Sequence, residues 1–106
     1  MKPIIQYDVT NTNYSGEFIK PNIIKVYIPH CNKTNRNIKN VIIHEYTHYI
    51  ICNNKLLSCL FSKIDKYMIA KCRNNGITSA NEVYKYLLEE KFCDFIANIT
   101  SKRFCV

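Results

Sequence analysis

The stretch VIIHEYTHYII at residues 41–51 decides how this 106-residue chain is interpreted. Its apolar flanks predict a buried helix, and on a helix side chains four residues apart share one face. His44 and His48 can therefore hold one metal ion between them. Glu45, about 100° round the same turn, can reach a water on that ion without being a ligand. This spacing is typical of zinc peptidases that use the glutamate as general base.

The alternative explanation is a pair of half-buried histidines on an amphipathic helix. It is the weaker one, because two of only three histidines in the chain fall at this spacing around a glutamate. Histidine is also an uncommon choice for the apolar surroundings that these flanks predict. The motif therefore favours a metal site over a structural pair.

A catalytic zinc site takes three protein ligands and leaves a fourth position for water. Glu90 is the predicted third ligand, because it lies on an otherwise apolar helical stripe, where a carboxylate is costly unless it is paired or bound to a cation. His30 is a weaker candidate, since a loop and a proline separate it from the motif helix. Glu89 is predicted to be a surface residue. Asp94, one turn beyond Glu90, is predicted to accept the free ring N–H of a metal-bound histidine; surface ion pairs of these two carboxylates are the alternative.

The order His44-Glu45-x-x-His48 and then Glu90-x-x-x-Asp94 resembles the gluzincins, in which the third zinc ligand is a glutamate on a later helix. A chain this short resembles the minigluzincins, small archaeal metallopeptidases, from about residue 20 to the end. The resemblance implies zinc ligation by His44, His48 and Glu90. It also implies that Glu45 is the catalytic base and that Asp94 orients His44. The metzincin pattern is disfavoured, because no further histidine follows at the required spacing.

The same resemblance implies that the chain is latent, since minigluzincins resemble zymogens blocked by C-terminal residues. Here the Cys105 thiolate or the Val106 carboxylate would occupy the fourth zinc position. A frayed, unattached terminus is an equal alternative. The competing functional hypothesis is a catalytically silent zinc-holding module with a regulatory or nucleic-acid-associated role.

Hydrophobic periodicity predicts an α+β fold in a single domain, residues 1–106. A small N-terminal β-sheet is followed by three helices, with zinc held between the motif helix and the C-terminal glutamate helix. The strand at 22–28 is expected to be an edge strand that pairs with an extended substrate above the cleft. The predicted elements are strands at 3–9, 17–19 and 22–28, a loop at 29–35, and helices at about 37–52, 56–73 and 79–102.

The predicted reaction is hydrolysis of peptide bonds, with Glu45 taking a proton from the attacking water. An additional donor to the developing negative charge is usually needed. Tyr86, one turn before Glu90, is the predicted donor. Surface packing of this tyrosine is the alternative, and the other tyrosines and His30 stay open for the role.

Composition adds expectations about surroundings. The net charge of +7 comes from scattered lysines and arginines, which favours a solvated basic surface over a nucleic-acid site. The N-terminus shows no apolar signal segment and no stretch is long enough to cross a membrane, so a cytoplasmic protein is predicted. Its six cysteines are expected to be reduced. Whether the chain is a monomer or a homodimer stays open.

Overall fold

The chain folds as a small sheet followed by helices, which confirms the predicted α+β class. The computed structural model describes residues 2–10 and 13–104, the last four by their backbone only. The predicted inhibitory residues Cys105 and Val106 lie outside the described residues. The elements in chain order are β1 (Ile4–Asp8), β2 (Gly16–Ile19), β3 (Ile23–Tyr27), α1 (Ile28–Lys33), α2 (Ile38–Cys52), α3 (Lys55–Asn74), α4 (Ala80–Tyr84) and α5 (Leu88–Phe104).

The sheet has the strand order β1-β3-β2, with β1 parallel and β2 antiparallel to β3. β3 is therefore the central strand, and its Ile24 and Val26 are fully buried. The predicted placement of this strand at the edge above the cleft is wrong, because β1 pairs with it from the other side. That pairing joins distant parts of the chain, so no local pattern indicated it. The edge strand next to α2 is β2.

A short helix replaces the loop that was predicted at residues 29–35. α1 carries Pro29 in its first turn, where a helix needs no backbone N–H from that residue. Its Cys31 is buried in a cluster with Val26 and Val41. This burial makes one helical turn favourable where the sequence alone suggested a loop, and it fixes the approach of the chain to α2.

The predicted third helix is divided. α4 ends at Tyr84, and α5 begins at Leu88, whose backbone N–H donates to Asp65 of α3 at 2.7 Å. The same carboxylate accepts a longer bond from the Glu89 N–H. Asp65 therefore satisfies N–H groups at the start of α5, as a capping residue does, from a remote element. This restart sets which side chains of α5 face α2.

α2 lies between the sheet and α5, and two apolar clusters flank the motif histidines. One cluster joins Val26, Cys31 and Val41 beneath the sheet, and the other joins Ile51, Phe61 and Cys93. The five cysteines of the described ranges are not joined in disulfides. Among residues 2–10 and 13–104, no helix combines the length and hydrophobicity of a membrane span.

Candidate metal centre

Three buried side chains from two helices converge on one point. α2 supplies His44 and His48, and α5 supplies Glu90; one donor atom of each lies within 4.8 Å of the others. The Glu90 carboxylate oxygens are 3.0 Å from His44 Nε2 and 2.6 Å from His48 Nε2. Donors around a tetrahedral zinc ion, each about 2.0–2.1 Å from it, lie roughly 3.3 Å apart. The three predicted ligands could therefore hold one metal ion.

The outer nitrogen of each imidazole faces a second carboxylate. Asp94 Oδ1 is 2.7 Å from His44 Nδ1, and Glu89 Oε2 is 2.5 Å from His48 Nδ1. The Asp94 contact is close, although its angle is not that of a regular hydrogen bond. Carboxylates in this position fix the ring orientation and leave Nε2 for the metal. Both rings are thus oriented for ligation through Nε2.

Asp94 lies close to the His44 ring nitrogen but is exposed and makes no regular hydrogen bond to it, so its predicted role as acceptor stays a prediction, whereas the prediction for Glu89 is wrong. The Glu89 side chain is only 33% exposed and contacts His48, so it is not a simple surface residue. The prediction assumed one helix from residue 79 onward, which put Glu89 on a polar edge. Because α5 starts afresh at Leu88, the first turn carries both adjacent glutamates toward α2. Two adjacent glutamates at the start of a helix, Glu89 and Glu90, were the sequence feature that could have indicated a second carboxylate at the metal centre.

The contacts around Glu90 and His48 favour opposite charges on the two side chains. Burial lowers the pKa of His48, but hydrogen bonds with Cys93, Glu89 and Glu90 outweigh it and the pKa is raised. Burial raises the pKa of Glu90, but hydrogen bonds from His44 and His48 outweigh it and the pKa is lowered. The side chains by themselves therefore form an imidazolium–carboxylate pair. A divalent ion would take the place of that proton.

Glu45 is buried beside the three ligands and keeps one oxygen without a partner. Its Oε1 is 3.8 Å from His44 Nε2, and its Oε2 makes no hydrogen bond within the described residues. Burial raises the pKa of Glu45, and the nearby His44 and His48 oppose the rise. A buried carboxylate oxygen without a partner is costly unless a water or ligand faces it. This orphaned oxygen fits a site built to hold a metal ion and its water.

A cleft of about 520 Å³ opens beside the centre, within the size range of small-ligand sites. β2 forms one wall and approaches α2 closely at Gly16. A Cβ at this position would lie 2.5 Å from Val41 Cγ1 and 3.3 Å from Glu45 Cγ. Only glycine therefore lets the edge strand lie so close to the motif helix. Other residues lining the cleft are Tyr14, Ser15, His30, Arg36, Asn81 and Tyr84.

Tyr14 and Tyr84 line the cleft, and the predicted donor Tyr86 does not. Tyr84 lines the cleft together with Glu90, and partial burial together with the nearby Glu90 carboxylate raises the pKa of its hydroxyl. The two side chains are similarly exposed, 51% for Tyr84 and 42% for Tyr86, but Tyr86 does not line the cleft and has the Lys91 ammonium 5.8 Å from its ring centroid. In one continuous helix Tyr86 would share a face with Glu90 and Tyr84 would not. The break after α4 reverses that relation, which is why sequence reasoning missed Tyr84.

His30 lies at the cleft but outside the group of three ligands. It is carried by α1, and its Nδ1 is 2.9 Å from the hydroxyl of the buried Ser15. Of the two predicted candidates for the third ligand, the structure therefore brings Glu90, and not His30, to the metal centre. A serine partner on Nδ1 orients the ring at the cleft wall.

Comparisons with known proteins give no match: no family model, no curated protein and no solved structure corresponds to this chain. The resemblance to minigluzincins therefore stays a prediction from the motif.

Proposed function

We propose that this chain is a zinc-dependent metallopeptidase of gluzincin type that hydrolyses peptide bonds. The observation that carries the proposal is the convergence of His44, His48 and Glu90 next to the unpartnered oxygen of Glu45. Zinc held by these three side chains would acidify a water and polarise the carbonyl of the substrate. Two nitrogens and one carboxylate oxygen are a donor set that catalytic zinc sites use.

Glu45 is the general base in this proposal. Its carboxylate takes a proton from the attacking water and passes it to the leaving amine. Because burial raises its pKa, the carboxylate is a stronger base than an exposed glutamate would be. Glu45 lines the cleft beside the ligand group, and its Oε2 has no competing hydrogen-bond partner in the described residues.

Tyr84 is the proposed donor to the negative charge that develops on the carbonyl oxygen. Its side chain lines the cleft and the neighbouring hollow together with Glu45 and Glu90, so it lies next to the ligand group. Its raised pKa keeps the hydroxyl protonated at neutral pH, as a donor must be. Tyr86 has no contact of this kind and takes no part in the proposal.

An extended peptide would bind along β2. This strand lies at the edge of the sheet and lines the cleft on both sides of Gly16. Addition of a peptide to a sheet edge uses main-chain hydrogen bonds and tolerates many side chains. The substrate class is therefore a peptide or an unfolded protein segment, with β2 in the role that the sequence analysis assigned to residues 22–28.

The test compares the wild type with Glu45→Gln, with zinc content and peptide cleavage measured on the same preparations. We expect one zinc per chain in both proteins and cleavage by the wild type alone. Truncation after Lys102 tests latency, since it removes the predicted blocking residues Cys105 and Val106. Zinc without cleavage in the full and the truncated chain would favour the silent module. Equal cleavage by both full-length proteins would show that Glu45 is not the base.

A further inference from the structure

The cleft beside the metal centre holds one permanent positive charge. Arg36 is the one lysine or arginine among the described residues that line it. The other ionisable residues that line it are four carboxylates, two histidines and two tyrosines: Glu17, Glu45, Glu90, Asp94, His30, His44, Tyr14 and Tyr84. A guanidinium here lies where an anionic part of a substrate would be drawn toward the metal centre.

The Arg36 guanidinium keeps donors available for a ligand. Its Nη2 is 3.9 Å from Asp94 Oδ1 and 3.4 Å from Asn40 Oδ1. Both contacts are longer than the 2.7–2.9 Å of a tight charge-assisted hydrogen bond. The same Asp94 oxygen lies 2.7 Å from His44, so its closest contact is with the imidazole. Arginine carries five N–H donors, and these two contacts involve only Nη2, so other donors stay available; Arg36 lines both this cleft and a neighbouring hollow formed with Asn40 and Asn98.

The backbone around Arg36 is fixed from both sides. Its N–H donates to the Cys31 carbonyl at 2.8 Å, which ties it to α1. The next residue, Asn37, caps α2 by accepting from the Lys39 N–H at 2.8 Å. Cys31 itself is buried in the core. The side chain of Arg36 thus leaves a well-held backbone, as a binding residue requires.

The direction of β2 predicts which end of a peptide would reach Arg36. Residues 13–16 line the cleft that contains Arg36, while Phe18 and Lys20 line the hollow on the other side of Glu45. Antiparallel pairing is the commoner arrangement at a sheet edge. A peptide antiparallel to β2 therefore runs from the Lys20 side toward the Arg36 side. Its carboxyl end would arrive beside the guanidinium.

We propose that Arg36 binds the free C-terminal carboxylate of the substrate, so that the enzyme removes residues from the carboxyl ends of peptides. The proposal rests on the peptidase function proposed above and names its substrate class. Planar guanidinium and carboxylate groups match in a bidentate pair, which gives both affinity and orientation. An arginine that merely supported Asp94 would have no effect on the choice between substrates.

The test measures binding in zinc-loaded Glu45→Gln protein, which blocks turnover. The probes are N-acetyl-trialanine with a free carboxylate and the same peptide as its amide, titrated by calorimetry. We expect the acid to bind about tenfold more tightly than the amide, the size of a charged hydrogen-bonded contact. Adding Arg36→Gln should remove this preference. Adding Lys39→Gln, which removes an exposed cation outside the cleft, should keep it.

Equal binding of acid and amide, no binding of either at millimolar concentration, or a preference that survives Arg36→Gln would each overturn the proposal. A drop in zinc affinity in the Arg36→Gln variant with an unchanged acid preference would assign Arg36 to support of Asp94 instead. Measured cleavage rates distinguish failure of the carboxylate-binding proposal from failure of the proposed peptidase function. Wild type that cleaves amidated and free peptides equally well would remain a peptidase without the carboxylate anchor.

Discussion

At the scale of single residues, each histidine of the metal centre is held between two carboxylates. Glu90 faces the Nε2 atoms of both rings, while Asp94 and Glu89 each face one Nδ1 atom. The inner carboxylate would share the metal with the rings, and the outer ones would only orient them. Loss of the inner carboxylate should therefore lower zinc affinity more than loss of either outer one.

We expect Glu90→Ala to abolish measurable zinc binding at micromolar protein, because it removes one of three ligands. Asp94→Asn and Glu89→Gln should lower zinc affinity by only about 10–100-fold, the range for groups that orient a ligand. Competition with a chromophoric chelator measures all three affinities. Glu82→Gln, an exposed carboxylate on α4, is the control and should bind zinc like the wild type. Wild-type affinity in Glu90→Ala would remove this residue from the ligand set.

The two tyrosines at the break between α4 and α5 give a matched pair of variants. Tyr84→Phe should reduce kcat about 10²-fold or more, since it removes a donor to the developing oxyanion. Tyr86→Phe should leave kcat unchanged, because this side chain lies outside the cleft. Steady-state cleavage of one peptide by both variants decides between them. A larger loss of kcat in Tyr86→Phe than in Tyr84→Phe would instead support Tyr86, the donor predicted from the sequence.

The sequence was informative at this scale wherever one helix carries the chemistry. His44, Glu45 and His48 share α2, so their relation follows from helical spacing alone. Glu90 could be predicted because a carboxylate on an apolar stripe needs a cation. Glu89 and Tyr84 could not be placed, because their direction depends on where α5 begins, and a remote residue, Asp65, influences that start.

At the scale of elements, the approach of β2 to α2 shapes the cleft, and Gly16 permits it. Gly16→Ala would put a Cβ 2.5 Å from Val41 Cγ1, so the strand or the helix must shift. We expect a loss of about 1–3 kcal/mol in the free energy of unfolding, as for other overpacked sites. Denaturant unfolding measures it.

The matched control for Gly16 is a double mutant. Val41→Ala removes the methyl group that the new Cβ would strike, at the cost of its own buried packing. The two changes should therefore be less destabilising together than their sum, with a coupling of about 0.5 kcal/mol or more. Additive losses would show that the close approach at Gly16 is not maintained in solution.

Elements with their own hydrophobic period were predictable, and elements fixed by partners were not. α3 follows from helical periodicity, α2 from the apolar run around the motif histidines, and β2 and β3 from the strand patterns at 17–19 and 22–28. α1 depends on burial of Cys31 against Val26 and Val41, which residues 29–35 alone do not reveal. The central place of β3 likewise depends on the parallel pairing with β1.

At the scale of the whole molecule, the metal would join α2, in the middle of the chain, to α5 near its end. An ion that binds the folded state and not the unfolded state raises the free energy of unfolding by RT ln(1 + [L]/Kd). This is about 2.7 kcal/mol when the free ion concentration is 100 times Kd. We expect zinc to raise the Tm of the wild type by roughly 10 °C on this basis. His48→Ala, which lacks one ligand, should show no such rise under the same zinc concentration in a thermal scan.

Proton release provides a further prediction for the metal centre. The raised pKa of His48 means that its ring holds a proton at neutral pH, and zinc binds only the neutral imidazole. Zinc affinity should therefore fall as pH falls, because more protons compete for the ring. Calorimetry at pH 7 in two buffers of different ionisation enthalpy should give about one proton released per zinc. Equal heats in both buffers would contradict this coupling.

The most direct measurement is anomalous diffraction from crystals of the wild-type protein grown with zinc, with data collected on both sides of the zinc absorption edge. We predict one strong peak in contact with His44 Nε2, His48 Nε2 and the Glu90 carboxylate, each at about 2.0–2.2 Å. Zinc found only at His30 or at cysteines, with these three side chains directed away from one another, would contradict it.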